Sequence, residues 1–516
     1  MSLTRAFATV GSLTLVSRVL GFIRDMMMAA FLGAGPVADA FVVAFKLPNF
    51  FRRLFGEGAF NAAFVPIFAG LLATDGRRAA VVFAEQAMAC LLGALLIFTV
   101  LAEAGMPWLT AAMAPGFIDD PERFGLTVEL GRITFPYLML VSLAALQSGI
   151  LNSVERYGAA AFTPVLLNIC MIAALLILPQ YTPTVGHALS WGVVASGIAQ
   201  FIWLAFSCQR AGIPIGLPWP RLSPKVREML RTLGPALISG GVAHINVMVD
   251  MIIASLLPAG AISWLYYADR VAQLPLGVVG AAVATTLLPV LSRQIRGGDR
   301  AAALASQNKA LEYALILTMP AAAGLVALAL PITLVLFQRG AFTAEDAIGT
   351  AGAMAAFSAG LPAFVVAKAL ATNFFARGDT KTPMRFAIVC LIANVVLNLA
   401  LMPFLAHVGV ALATSLSSWL NVGMLSYTLA RQDHLVMDRA LRRRLISLMI
   451  VSLLMGGALY ALLPLTLPYM AVGQPWRYGV LAGLVAGGGL LYAVLGQVLG
   501  AFSLKDILRL LRRSRG

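Results

Sequence analysis

Charge is what this sequence has least of. Asp, Glu, Lys and Arg make up 11% of its 516 residues, against 60% hydrophobic residues and a mean hydropathy of +0.88. A soluble domain carries about 25% charged residues, so a water-soluble fold is excluded and the chain belongs in a bilayer. Cysteine is equally sparse. Cys90, Cys170, Cys208 and Cys390 lie in apolar runs without a CxxC pair, which excludes a disulfide framework and a thiolate metal site. His187, His244, His407 and His434 are too far apart for metal-ligand spacing. No GxxxxGK(S/T) phosphate loop is present, so nothing points to ATP hydrolysis by this chain. No clustered acid and base or metal constellation suggests an enzyme acting on lipid phosphates.

What is abundant is apolar length. A span needs about 20 mostly apolar residues, and the sequence predicts fourteen, from 7–31 to 478–501. The expected fold class is an all-α polytopic membrane protein. The second span (37–70) and the eighth (262–291) are long and are expected to be broken, by Pro48 and Pro66 and by Pro275 and Pro289. Arg18 interrupts the apolar run that follows Arg5, and no small-residue cleavage site follows, so the start reads as a retained first helix. The net charge of +15 reads as topology rather than as nucleic-acid binding. Lys and Arg crowd the loops of one side, among them Arg77, Arg78, Arg442, Arg443, Arg444 and a tail through Arg515. The other side carries Arg123, Arg132, Arg339 and Arg477. Both termini are therefore expected in the cytoplasm.

A duplication organises the spans. "ERYGAAAFTP" (155–164) recurs as "ARGDTKTP" (376–383), and "NAAFVPIFAGLL" (61–72) is echoed by "ATTLLPVLSRQI" (284–295). Both matches fall at nearly one offset, which indicates a six-helix unit used twice. Six is even, so the two bundles are expected to be parallel, with substrate between them near the midplane. The predicted divisions are an N-terminal lobe at 1–220, a C-terminal lobe at 221–440, and two extra helices with a basic tail at 441–516.

The remaining charges lie in or beside spans: Arg18, Arg24, Lys46, Arg52, Arg53, Arg270 and Lys368 against Asp25, Asp39, Glu57, Asp250 and Asp269. Each charge at the bilayer centre costs roughly 2.5–3.5 kcal/mol on insertion scales. Cations outnumber acids and most are arginine, whose planar fork fits phosphate oxygens bidentately. An anionic, phosphorylated substrate is expected, with Arg18, Arg24, Arg270, Arg52, Arg53 and Lys46 as contacts. Asp25, Asp39, Asn49, Glu57 and Asp269 are candidates to orient those groups or to gate the cavity. The competing reading is structural: ion pairs such as Arg24 with Asp39 lock helices together, and Arg52 and Arg53 snorkel to the interface. A second constellation joins Asp250, Asn394, Asn398 and Thr414, whose oxygens could hold Na⁺ or, for the asparagines, glue helices by hydrogen bonds.

"SRVLGFIRDMMMAAFLGAGPVADAFVVAFKLPNFFRRLFGEGAFNAAFVPIF" (17–68) resembles the opening of the MurJ/MviN family, the bacterial lipid II flippases of the MATE-like exporter superfamily. "YYADRVAQLPLGV" (266–278) and the layout of two six-helix units plus two helices agree along the chain. The resemblance implies outward transport of an undecaprenyl-diphosphate-linked disaccharide-pentapeptide for peptidoglycan synthesis, by alternating access. It implies that Arg18, Arg24 and Arg270 contact the diphosphate and that the last two helices form a groove for the lipid tail. Some members bind sodium between helices seven, eleven and twelve, where the pattern can include an acid at the position of Asn398. Sodium and the membrane potential are the candidate driving forces. Other cell-wall synthesis proteins are candidate partners, and a monomer is expected. The competing functions are export of another polyprenyl-diphosphate oligosaccharide, multidrug antiport, an enzyme on lipid diphosphates, and a non-transporting scaffold. Multidrug antiport would favour acidic and aromatic cavity residues.

Overall fold

A computed structural model describes residues 3–52 and 60–502, with the side chains of 3–7, 61–62, 234–247, 278, 281–285 and 440 left aside. Among the described residues all regular structure is helical. Backbone donors and acceptors inside a bilayer have no water to bond, and helices satisfy them internally.

The chain divides into two compact units, residues 1–263 and 264–516. The first contains α1 (Leu3–Leu32), α2 (Pro36–Arg52), α3 (Phe60–Thr74), α4 (Gly76–Ala104), α5 (Met106–Met113), α6 (Pro121–Thr134), α7 (Tyr137–Ser153), α8 (Tyr157–Ile177), α9 (Val185–Arg210) and α10 (Pro224–Ser255). It also takes in the first residues of α11 (Ala261–Arg296). Its core is aromatic and small: Phe60, Phe64, Phe68 and Phe83 stack with ring centroids 5.4–5.6 Å apart, beside Ala84 and Ala87. Val226 and Met229 of α10 join that core.

The second unit holds the rest of α11, then α12 (Arg300–Ala327), α13 (Ala329–Phe337), α14 (Ala344–Ala359), α15 (Leu361–Ala376), α16 (Lys381–Arg431), α17 (Arg439–Thr466) and α18 (Arg477–Val498). Its core joins Leu287 and Leu291 of α11 to Leu311 and Leu315, to Val365 and Phe374, and to Leu448 and Val451. Short polar residues start several of these helices. Asp120, Thr184, Ser223, Asp299 and Asp438 each accept the backbone N–H three residues on, and Thr343 with Asp346 forms a reciprocal capping box.

Nine described helical segments are long and apolar enough to cross a membrane. They include 121–153 and 344–376, which run through α6–α7 and α14–α15, and α16, two helices joined at a kink over the range of the eleventh and twelfth expected spans. Its turn is made at Ala406, which has φ 47° and ψ −129°, three residues after Pro403. One expectation is corrected: α11 is not broken, since Pro275 and Pro289 both lie inside a continuous helix. Each proline removes one N–H, a loss that membrane helices absorb where neighbouring groups bond the carbonyl set free. Pro48 and Pro66 likewise sit within α2 and α3, and residues 53–59 between those helices lie outside the described residues.

Candidate functional site

In the first unit the structure brings Arg24 and Asp25 together as neighbours in sequence and in space. Both are buried. Arg24 donates from Nε (3.0 Å) and Nη2 (2.6 Å) to Asp25 Oδ1, and from Nη1 to Asn168 Oδ1 of α8 (2.9 Å). Asn168 in turn donates from Nδ2 to the Ser17 carbonyl (2.9 Å). A buried guanidinium is therefore held in a socket of one carboxylate and one amide, with its fork fixed between α1 and α8. Arg18, two turns earlier on α1, is exposed.

Asp39 corrects the pairing named for it. Its ion-pair partner is not Arg24 but Arg123 of α6, at 3.6 Å. Fully buried, it accepts from Gly260 N (2.7 Å), Ser263 N (2.9 Å) and Ser263 Oγ (2.6 Å). Two of these donors are amides at the start of α11, where unpaired N–H groups and the helix dipole favour a carboxylate. Arg123 is itself set over the Phe117 ring at 4.0 Å and lies 3.5 Å from Asp120. At the other end of α2, Asn49 donates to the Phe45 carbonyl (2.9 Å) and accepts from Arg52 Nε (3.1 Å). Lys46 is half-buried on the same helix, and Asp250 is half-buried on α10. Arg53 and Glu57 lie outside the described residues.

In the second unit Arg270 lies over the Tyr266 ring at 4.9 Å, and Asp269 accepts from Gln273 one turn on. Lys368 of α15 reaches α11 at Gly280, where a Cβ would come 3.4 Å from its Nζ. Asn394 and Asn398 are fully buried in α16. Asn398 donates to Asn394, whose Nδ2 donates to Thr414 Oγ1 (3.4 Å), and Thr414 donates to the Val410 carbonyl (3.1 Å). These bonds tie the two halves of α16 together. No group of three or more His, Cys, Asp or Glu suited to a metal occurs among the described residues.

Sequence reasoning missed Asn168, Ser17, Arg123 and Ser263. Asn168 carried a usable signal, being the only strongly polar side chain between Thr163 and Gln180 in an otherwise apolar span. Arg123 looked like an outer-loop charge, and nothing local marks Ser263.

Residues 28–480 match the family described as lipid II flippase MurJ. A probable lipid II flippase MurJ of Rhizobium meliloti (strain 1021) is 45% identical over 519 residues, covering 99% of this chain and 97% of the relative. That of Rhizobium tropici is 44% identical, covering 100% and 98%. A lipid II flippase MurJ of Burkholderia cenocepacia is 37% identical, covering 82% of each. Among solved structures, a lipid II flippase MurJ in an inward closed conformation superposes with a TM-score of 0.79 at 24% identity, covering 97% of this chain and 99% of that one. An inward-facing multidrug resistance MATE transporter of the MOP superfamily gives a TM-score of 0.67 at 13% identity, covering 84% and 98%.

Proposed function

The chain belongs to the MurJ family of lipid II flippases, and from that premise we propose how its residues handle the substrate. It is a multi-pass inner-membrane transporter that moves lipid II, not an enzyme. The reading adopted for its layout is fourteen spans, arranged as two parallel six-helix bundles (1–220 and 221–440) and two further helices within 441–516, with both termini cytoplasmic. The excess of Lys and Arg in the loops of one side supports that orientation. Trp108, Tyr181, Tyr469 and Trp476, all exposed, lie at helix ends on the side poor in Lys and Arg, as interfacial aromatics do.

The diphosphate enters from the cytoplasmic side and is met by Arg18, Arg24 and Arg270, while the polyprenyl tail stays in lipid along a groove of the last two helices. Arg52 and Lys46 extend the cationic path, Arg53 is its unplaced member, and Asp25, Asn49, Asp269 and Glu57 orient its cations. Asp39 serves as an outer gate, through its bonds to Gly260 and Ser263. The observation that carries the reading is the socket of Arg24. A buried arginine whose Nε, Nη1 and Nη2 are held by Asp25 and Asn168 keeps its charge and a settled orientation before the substrate arrives, and the diphosphate competes with Asp25 for its fork. Return of the empty cationic cavity toward the cytoplasm is favoured by the inside-negative potential, by about 2.3 kcal/mol per charge per 100 mV.

The test is leaflet accessibility of lipid II in cells depleted of this protein and complemented with variants. Arg18→Ala, Arg24→Ala and Arg270→Ala are each expected to leave lipid II in the inner leaflet at normal expression. Full restoration by all three would remove the contact assignment.

A further inference from the structure

After a turn at 211–212, residues 213–223 join α9 to α10 as a strap without helical structure. Three bonds lay the turn and the strap along α4. Arg77 donates to the Ala211 carbonyl, Gly216 N donates to Glu85 Oε1 (2.8 Å), and Cys90 Sγ donates to the Arg221 carbonyl (3.5 Å). Pro214, Pro218 and Pro220 keep the strap from coiling into a helix.

Its depth follows from α4. Between Glu85 and Glu103 that helix has no charged residue, and 86–102 makes about 26 Å of helix, close to the ~30 Å of a hydrocarbon core. Glu85 therefore marks one boundary of the hydrocarbon, and Gly216 is bonded to it there. The strap changes character at that point. Ile213 is buried and Ile215 packs on the core of the unit, whereas Leu217, Trp219 and Leu222 are 58%, 82% and 61% exposed. Arg221 follows on the strap, and Arg227 and Arg231 stand one turn apart on α10, all three exposed. A tryptophan and two leucines at the boundary, rimmed by arginines, match the chemistry of an anionic lipid surface.

We infer that residues 216–223, with Arg227 and Arg231, form an interfacial anchor: Leu217, Trp219 and Leu222 enter the headgroup–acyl boundary, and the three arginines bind phosphates of anionic phospholipids. The anchor rests on the reading of this side as the cytoplasmic leaflet, where the lipid substrate loads. Its test does not read transport, so its failure would leave the flippase assignment standing.

The experiment is hydrogen exchange of the full chain in nanodiscs of phosphatidylcholine, of phosphatidylcholine with phosphatidylglycerol, and of phosphatidylcholine with added inorganic phosphate. Amides at 217, 219, 221 and 222 are expected to exchange roughly tenfold more slowly in the anionic discs than in either neutral sample. The triple variant R221Q/R227Q/R231Q should abolish that difference, and W219S should speed exchange in every disc. Both changes are on exposed side chains, and an unchanged melting temperature verifies that the fold is kept. Equal rates in all three samples would overturn the proposal. So would slowing reproduced by inorganic phosphate, slowing that requires an added soluble protein, or a triple variant that keeps the lipid dependence.

Discussion

Asp39 shows how much a single buried carboxylate can organise. It receives three hydrogen bonds from Gly260 and Ser263 and faces Arg123 at 3.6 Å. Removing Asp39 leaves the buried Gly260 and Ser263 donors without their acceptor, at about 1–3 kcal/mol each, and takes from Arg123 one of its two carboxylate partners. Asp39→Ala should therefore lower the melting temperature in detergent far more than Ser263→Ala, which removes one hydroxyl donor at about 1 kcal/mol; equal shifts would contradict the pairing. Asn168 is the corresponding brace for Arg24. Asn168→Ala strips one charge-assisted bond, at about 1.5–3 kcal/mol, and should slow lipid II export measured as leaflet accessibility, while Asn168→Gln fails to restore the Ser17 bond geometry. The arginines on the side poor in charge are also spent locally. Arg132 bonds the Glu103 carbonyl, and Arg339 and Arg477 cap the last carbonyls of α13. The charges themselves were legible in the sequence because each is costly in an apolar span. Their partners were not, since Arg24 meets Asn168 across 144 positions and Asp39 meets Ser263 across 224.

At the scale of the element, α16 is the informative case. Read from the sequence it is two spans, 386–403 and 408–430. The turn between them is made by one residue, Ala406, at a positive φ that favours glycine. Ala406→Gly should relieve that conformation and raise stability by about 1 kcal/mol, measured as a higher melting temperature. Upstream, Asp379 accepts from the amides of Lys381 and Thr382 as the helix begins. The bonds from the Thr382 amide and hydroxyl hold its carboxyl below its ordinary value, with Arg385 helping. A carboxylate whose folded pKa is lowered stabilises fully above its ordinary pKa, and that stabilisation is lost as pH falls through the folded value. Asp379→Asn should therefore lower the melting temperature at neutral pH and converge on the wild type as pH falls, which flattens the acid-side slope. A wild-type slope retained by the variant would contradict the cap. The continuous α11 was illegible for the opposite reason. Two prolines in a helix read as breaks when no tertiary neighbour is in view.

For the whole molecule, composition settled the class, since a chain of 60% hydrophobic residues has no soluble alternative at this length. The lipid's identity came from a resemblance confined to long motifs, and spacing alone reached no further than a phosphorylated anion. The central claim is that the arginines recognise the diphosphate and not the tail. The most direct measurement is the affinity of the purified full chain for undecaprenyl diphosphate against undecaprenyl monophosphate, for the wild type and for Arg18→Ala, Arg24→Ala and Arg270→Ala. Charge-assisted bonds worth about 1.5–3 kcal/mol predict a preference for the diphosphate of roughly tenfold or more in the wild type, reduced toward unity in each variant. Equal binding of the two lipids by the wild type, or a preference that survives all three substitutions, would contradict it.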